Sequence, residues 1–333
     1  MSAPLSDTNN PLTTLSFFTG VGGLDYGAKK AEFISWFRSD IMKAAGEIFS
    51  LNINNKRKHL KSEGVFAVGK NFGDIHNLSF ESISNHVYSK LKLKIRKGEI
   101  AVICGGPPCQ DISRANPLRS VLSKRNRLIF ELIRLIREFR PKVGLIEQVP
   151  DLLSLKYRRL WTEIKVTLDN LQGYIWDYKI MDAAEYGGRQ RRKRLIIMIV
   201  RKDLGVPVSF PEPTQKHIER VYVNNLLPHV YAFSPGQFGD DIHDAKQNVF
   251  CTMTATGCEK AYGMDGKARE FTMPERLVLT ELVGLNTGKI PITWQKKLVG
   301  NMVQISLAEA LFRHIRDVIL KHGQRQNRAK IAA

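Results

Sequence analysis

Residues 12–18 form an apolar run that breaks at Gly20-Val21-Gly22-Gly23 and resumes at helical spacing through Lys30, which predicts a strand, a glycine turn and a helix. Residues 33–37 predict a second strand that ends near Asp40, and 41–51 return to helical spacing. Further buried strands are predicted at 65–68 and 100–104, each followed by turn residues, Gly73-Asp74 in one case and Gly105-Gly106-Pro107-Pro108 in the other. Residues 128–139 carry apolar positions at helical spacing, stop before Pro141 and yield to a strand at 143–146. Strands alternating with helices predict an α/β fold with a mostly parallel sheet covered on both faces.

Past Trp176 the pattern changes. Residues 178–181 and 195–200 read as strands flanking the charged segment 185–194. From 207 to 267 the chain is rich in Pro, Gly, Asn, Asp and Thr without a clean period, which predicts a small loop-rich lobe. Helical spacing returns at 274–284 and 304–320, and the basic tail after Lys321 is expected to fray. The expected division is 12–200 for the main domain, 201–268 for the inserted lobe and 269–320 for a return to the main domain.

At 333 residues, with 43% hydrophobic and 25% charged, the chain is long enough for one large core and a smaller one. The first eleven residues are polar, and no apolar run approaches the ~20 residues of a bilayer span, so a cytoplasmic protein with no membrane partner is expected. Cys104, Cys109, Cys251 and Cys258 lack C-x-x-C spacing, which points to reduced thiols rather than a zinc site, and no metal is expected. The net charge of +19 points to a polyanionic partner. It is concentrated: residues 82–140 carry 13 Lys/Arg against 4 Asp/Glu, and 201–268 carry 7 against 8.

Four motifs carry candidate chemistry. Glycines at a first βα turn let a ligand approach bare backbone, and Asp40, 20 residues after Gly20, suits a ribose hydroxyl pair. That pattern fits a nicotinamide dinucleotide as well as S-adenosylmethionine. Cys109 follows two prolines at the C-terminal end of a parallel strand, the edge where such sheets bind ligands, so it is a candidate nucleophile. Glu147 lies at the end of the next strand, on the same edge, placed to share a proton with a ring nitrogen. In Gln190-Arg191-Arg192-Lys193-Arg194, alternate residues of a strand share a face, so Arg192 and Arg194 are expected in one cleft.

These elements, in this order, resemble the cytosine-C5 DNA methyltransferase family. The resemblance implies a Rossmann-like S-adenosylmethionine-dependent methyltransferase domain with a target-recognition lobe. It assigns the cofactor to Phe18, Gly20, Val21, Gly22, Gly23, Asp40, Ile41, Asp74, Ile75, Pro108, Leu128 and Asn301, with S-adenosylhomocysteine as product. Catalysis falls to Cys109, Glu147, Arg192 and Arg194, with Arg194 on the base O2 and Arg192 bracing Glu147. Double-stranded DNA is the implied partner, contacted by Gln110, Ser113, Arg114, Arg119, Arg125, Gln190, Gln237, Thr252 and Thr254. Of these, Arg114, Arg119 and Arg125 lie in a basic segment after Cys109 that reads as a mobile loop closing over phosphate.

Three departures from the family pattern stand out. Glu147-Gln148-Val149 replaces the usual Glu-Asn-Val, Gly300-Asn301-Met302-Val303-Gln304 lacks a small residue and a proline, and Gly284 lies two positions late after the segment 269–275. The resemblance further implies a monomeric bacterial or phage protein acting in the nucleoid, with a separate restriction endonuclease as a possible companion. Two alternatives stay open here: a tRNA cytosine-5 methyltransferase with the same catalytic residues, and a DNA-binding relative that has lost catalysis. A nicotinamide-dependent oxidoreductase leaves Cys109, Glu147 and the basic segment without roles.

Overall fold

The computed structural model describes residues 11–52, 64–108, 112, 123–214, 221–236 and 241–332, the side chains of 124 and 323–332 excepted. Its main body runs β1 (Thr13–Phe17), α1 (Gly23–Lys30), β2 (Ile34–Asp40), α2 (Lys43–Asn52), β3 (Val65–Val68), α3 (Phe80–Leu91), β4 (Val102–Gly105), α4 (Leu128–Phe139) and β5 (Val143–Gln148). It continues through α5 (Arg158–Asp169), β6 (Tyr174–Asp182) and β7 (Lys193–Arg201). These strands form one seven-stranded sheet in the order β3-β2-β1-β4-β5-β7-β6. β1 to β5 pair in parallel, and β6 and β7 close one side as an antiparallel pair. The direction of winding reverses between β1 and β4, and in such sheets the crevice at that point, beyond the strand C-termini, binds ligands.

The inner strands of the sheet are buried on both faces, and the alternation along them says how. In β7, Leu195, Ile197 and Ile199 join the core under α3, α4 and α5, whereas Ile196, Met198 and Val200 join the core of the opposite face. That second core is covered by α1 and by the long C-terminal helix. A strand covered on both sides reads as an unbroken apolar run, which is why 195–200 is legible in the sequence as a strand.

The inserted lobe is more ordered than its composition suggests. β8 (Ala232–Ser234), β9 (His243–Asp244), β10 (Lys260–Tyr262) and β11 (Ala268–Glu270) form a four-stranded antiparallel sheet in the order β11-β10-β8-β9. Strands of two or three residues are too short to show a period of two, so the sequence reads as loop there. The lobe has its own core of Val223, Val230, Phe233, Phe250, Met253, Ala261 and Phe271. α6 (Met273–Leu279), α7 (Ile292–Asn301) and α8 (Ile305–Ala332) follow. α8 continues as helix through the basic tail that was expected to fray. α6 starts at a capping box in which Thr272 and Glu275 satisfy each other's backbone donors.

Candidate active site

The glycine turn, the first two strands and the Gly73-Asp74 turn meet on one edge of the sheet. Gly20 and Gly22 take left-handed backbone, φ 56° and 90°, and Phe18 does so as well at 55°. A Cβ on Gly20 would meet nothing within 4 Å, so the turn offers bare backbone to open space. Asp40 ends β2 with its carboxylate on this turn, accepting from Gly20 N and from Met42 N, both at 2.8 Å. Burial raises its pKa against the pull of those two bonds. Each oxygen keeps a further lone pair, so the carboxylate is still able to accept from a diol.

The backbone of Gly73 lies on the Asp40 carbonyl, so close that a Cβ would stand 2.2 Å from its oxygen, which brings Asp74 to the same place. From the other side, Gly23 packs on Val303 O with a Cβ allowance of only 2.2 Å, which seats the segment after Asn301 on the start of α1. A cavity of about 200 Å3 opens beside the turn between α1 and α2, with Gly20, Val21 and Gly22 in its wall. The bare glycine backbone, the Asp40 carboxylate and the Asp74 turn fit an adenosine-type ligand; the cavity itself is lined by Asp25, Lys29, Arg38 and Phe49 rather than by Asp40, Asp74 or Phe18.

Among the other residues expected at this end, Val21 and Ile75 face the core with their side chains. Phe18 and Leu128 are partly buried against the main core, and Ile41 and Asn301 are exposed.

Across the switch point, β5 carries Glu147 beside the end of β4. A Cβ on Gly105 would stand 2.8 Å from Phe17 O, so the glycine turn and the Gly105-Gly106-Pro107-Pro108 segment are neighbours. Glu147 lies inside β5, 7% exposed, and pairs with Arg194 of β7 at 2.6 Å between Oε1 and Nε. Its Oε2 faces Gly106, where a Cβ would come within 2.7 Å.

The residue that departs from the family pattern has a visible role: Gln148 Nε2 donates to Pro107 O at 2.8 Å, tying the strand that bears Glu147 to the segment that leads to Cys109. Gln148 Oε1 is buried with no partner among the described residues, and so are both amide atoms of Gln304. Cys109 itself, with Gln110, Ser113, Arg114, Arg119 and Gln237, lies outside the described residues.

The Gln190–Arg194 run does something the sequence did not suggest. Gln190 was expected at DNA, but it is 0% exposed and both amide ends are spent on backbone: Nε2 donates to Leu279 O at 2.9 Å, and Oε1 accepts from Met253 N at 3.0 Å. Arg192 was expected to brace Glu147. Instead it is 2% exposed and donates to Met253 O at 2.9 Å and to Gly300 O at 2.8 Å, while the guanidinium on Glu147 is that of Arg194. Carbonyls 61 and 108 residues away in the chain supply these partners. Nothing in local sequence signals such pairings.

Thr254, offered as a base reader, is also buried: its backbone N and Oγ1 both donate to Glu259 Oε1, at 2.6 and 2.7 Å. Glu259 in turn pairs with Arg276 at 2.9 Å, both essentially without exposure. Arg276 also donates to Phe271 O and Gly257 O. The loop 254–259 is thereby held from inside, and Thr256 is exposed on it. Thr252 donates to Arg191 O at 2.7 Å and keeps partial exposure. Arg125 is exposed, just before α4. Burial pushes the Cys251 thiol up to about 12, which leaves it unreactive as a thiolate at neutral pH.

A family model described as C-5 cytosine-specific DNA methylase matches residues 12–251. The Type II methyltransferase M.NgoPII of Neisseria gonorrhoeae is 31% identical over 205 residues, covering 62% of this chain and 52% of the relative. M.FnuDI of Fusobacterium nucleatum is 30% identical over 214 residues, covering 64% and 54%. The matches therefore span about half the length of these curated relatives. The solved structure of the Entamoeba histolytica methyltransferase EhMeth superposes with a TM-score of 0.63 at 17% identity, covering 93% of this chain and 99% of that one, a likeness of fold. With the family model spanning more than half of its residues, the chain belongs to the C-5 cytosine-specific DNA methylase family.

Proposed function

We propose that the protein methylates C5 of cytosine in duplex DNA, using S-adenosylmethionine as donor. The observation that carries this reading is the buried Glu147–Arg194 pair on the sheet edge, beside the segment that leads into Cys109 and across from the glycine turn. Bound S-adenosylmethionine supplies an electrophilic methyl group. Asp40 would hold the ribose hydroxyls, the Gly20–Gly23 backbone the amino-acid part, and Phe18 and Asp74 the adenine.

C5 of cytosine is a weak nucleophile, so the residues of this chain must first raise its electron density. In the family's manner, the Cys109 thiolate adds to C6, and Glu147 hydrogen-bonds or protonates N3, so that the electron pair of the C5–C6 bond becomes available at C5. Arg194 holds Glu147 in place and offsets the cost of burying its charge. After the methyl group has been transferred, a base removes the C5 proton, the C5–C6 double bond re-forms and Cys109 leaves. The ring must be turned out of the duplex to enter, at a cost of a few kcal/mol. The basic residues of 82–140 supply phosphate neutralisation.

Bisulfite sequencing of DNA from cells expressing the protein tests the reading. Methylated cytosines within one short fixed sequence are expected. Unmethylated DNA from cells whose tRNA becomes methylated would overturn the choice of DNA, and no methylation of either would overturn the reaction.

A further inference from the structure

We propose that Arg192 couples the DNA-reading loop to the cofactor pocket, so that each ligand tightens the other through one buried guanidinium. The inference rests on the functional reading above. It starts from the alternation in Gln190, Arg192 and Arg194, three side chains two residues apart that stitch distant parts of the molecule to the segment running into β7. Gln190 and Arg192 together hold both backbone groups of Met253, its N through Gln190 Oε1 and its O through Arg192 Nη1. The other arm of Arg192 holds Gly300 O. Arg194 holds Glu147.

The two carbonyls on Arg192 belong to segments that also touch each other directly. The Gly300 backbone lies against Thr254, where a Cβ would stand 2.3 Å from Thr254 O. No side chain fits between them. On one side of this contact, Thr252 precedes Met253 and retains exposure on the lobe. On the other, Asn301 follows Gly300 directly and is exposed at the end of α7.

With Thr252 at DNA and Asn301 at the cofactor, as the resemblance assigns them, the path between the two runs Thr252, Met253, Arg192, Gly300, Asn301, with one charged group at its centre. Hydrogen bonds from a charged donor are stronger than neutral ones, and a buried guanidinium strongly disfavours losing either acceptor. A shift of the loop on DNA thus carries Gly300 with it, or leaves a buried charge short of a partner. Arg192 is on this view a positioning residue, and it acts on the cofactor through Asn301.

Coupling between two binding sites is reciprocal, so DNA must tighten the cofactor by the same factor as the cofactor tightens DNA. The test measures S-adenosylhomocysteine affinity by calorimetry with and without a duplex oligonucleotide carrying the bisulfite-defined sequence, and the affinity of that duplex with and without S-adenosylhomocysteine. In the unmodified protein both ratios are expected to agree, at about fivefold or more. Arg192→Met, which keeps the aliphatic bulk and removes the donors, is expected to bring both ratios to about one. Arg192→Lys, which keeps a charged donor, should retain part of the effect.

Gly300→Ala disturbs the same contact from the opposite side with Arg192 intact, and it decides the matter if Arg192→Met does not fold; its ratios should also fall to about one. Ratios of one in the unmodified protein, or an undiminished ratio in the folded variants, would overturn the proposal. Absence of S-adenosylhomocysteine binding under every condition would bring down the functional reading instead, which keeps the two failures apart.

Discussion

Replacing Arg276 by Met removes the only charge facing Glu259 that the described contacts show, and it strips three acceptors at once. In the native protein Arg276 Nη1 lies 2.9 Å from Glu259 Oε2, Nη2 lies 2.7 Å from Gly257 O, and Nε lies 3.1 Å from Phe271 O. With Arg276 at 1% and Glu259 at 0% exposure, water cannot take over these bonds without opening the lobe. Removing one partner of such a buried pair costs about 3–5 kcal/mol, against about 0–1 kcal/mol for an exposed pair.

Urea unfolding followed by circular dichroism reads the difference. Glu259→Gln in the Arg276→Met background removes the stranded charge and should recover about 1–2 kcal/mol of the loss, the size of coupling expected between contacting residues. Because Thr254 hangs on the same carboxylate, sequence-specific methylation should fall further than S-adenosylhomocysteine affinity. A loss below about 1 kcal/mol, or a double variant no more stable than the single one, would refute the claim that this pair holds the lobe together.

Other expectations follow from single contacts. Gly106→Ala places a Cβ 2.7 Å from Glu147 Oε2 and should lower kcat about 100-fold by displacing the acid, with a melting temperature close to that of the parent. Gln190→Leu leaves Met253 N and Leu279 O unpaired, so it should destabilise by about 1–3 kcal/mol while the salt dependence of DNA binding stays as in the parent, since Gln190 faces no phosphate.

Burial of Glu275 would raise its pKa, but bonds from Arg269, His229 and Thr272 outweigh it and bring the value down to about 2. A depressed folded-state value means that this carboxylate stabilises the fold above its ordinary pKa of 4.5 and loses that contribution as pH falls from there toward 2. Glu275→Gln should accordingly flatten the acid limb of a stability profile measured between those limits.

The parts of the fold that show an unbroken apolar run or a clear helical period were legible in the sequence. β1, the glycine turn and α1 could be read from residues 12–30, and Asp40 and Glu147 could be placed on the ligand edge because each ends or lies in a buried parallel strand. α5 was missed although Leu160, Trp161, Ile164 and Leu168 keep helical spacing, because Arg158, Arg159 and Lys165 mask it with charge. The small sheet was missed for a different reason: strands this short have no period.

The roles of Gln190, Arg192 and Thr254 lie further still from sequence reasoning. A polar side chain that will be buried on a distant carbonyl has the same composition as one that will face a phosphate, and only the tertiary fold separates them. Gln148 was visible as a departure from the family pattern, but its bond to Pro107 O depends on the register that brings β5 beside the loop after β4.

The central claim is that Cys109 and Glu147 act on one cytosine ring, and covalent trapping tests it most directly. Incubation with S-adenosylmethionine and a duplex carrying 5-fluorocytosine at the methylated position blocks the final proton removal, so the protein should remain attached to the DNA as a denaturation-resistant complex. Cys109→Ser should give none, and Glu147→Gln should form it far more slowly. A complex that persists in Cys109→Ser, or none at all from a protein that methylates the same sequence, would contradict the claim.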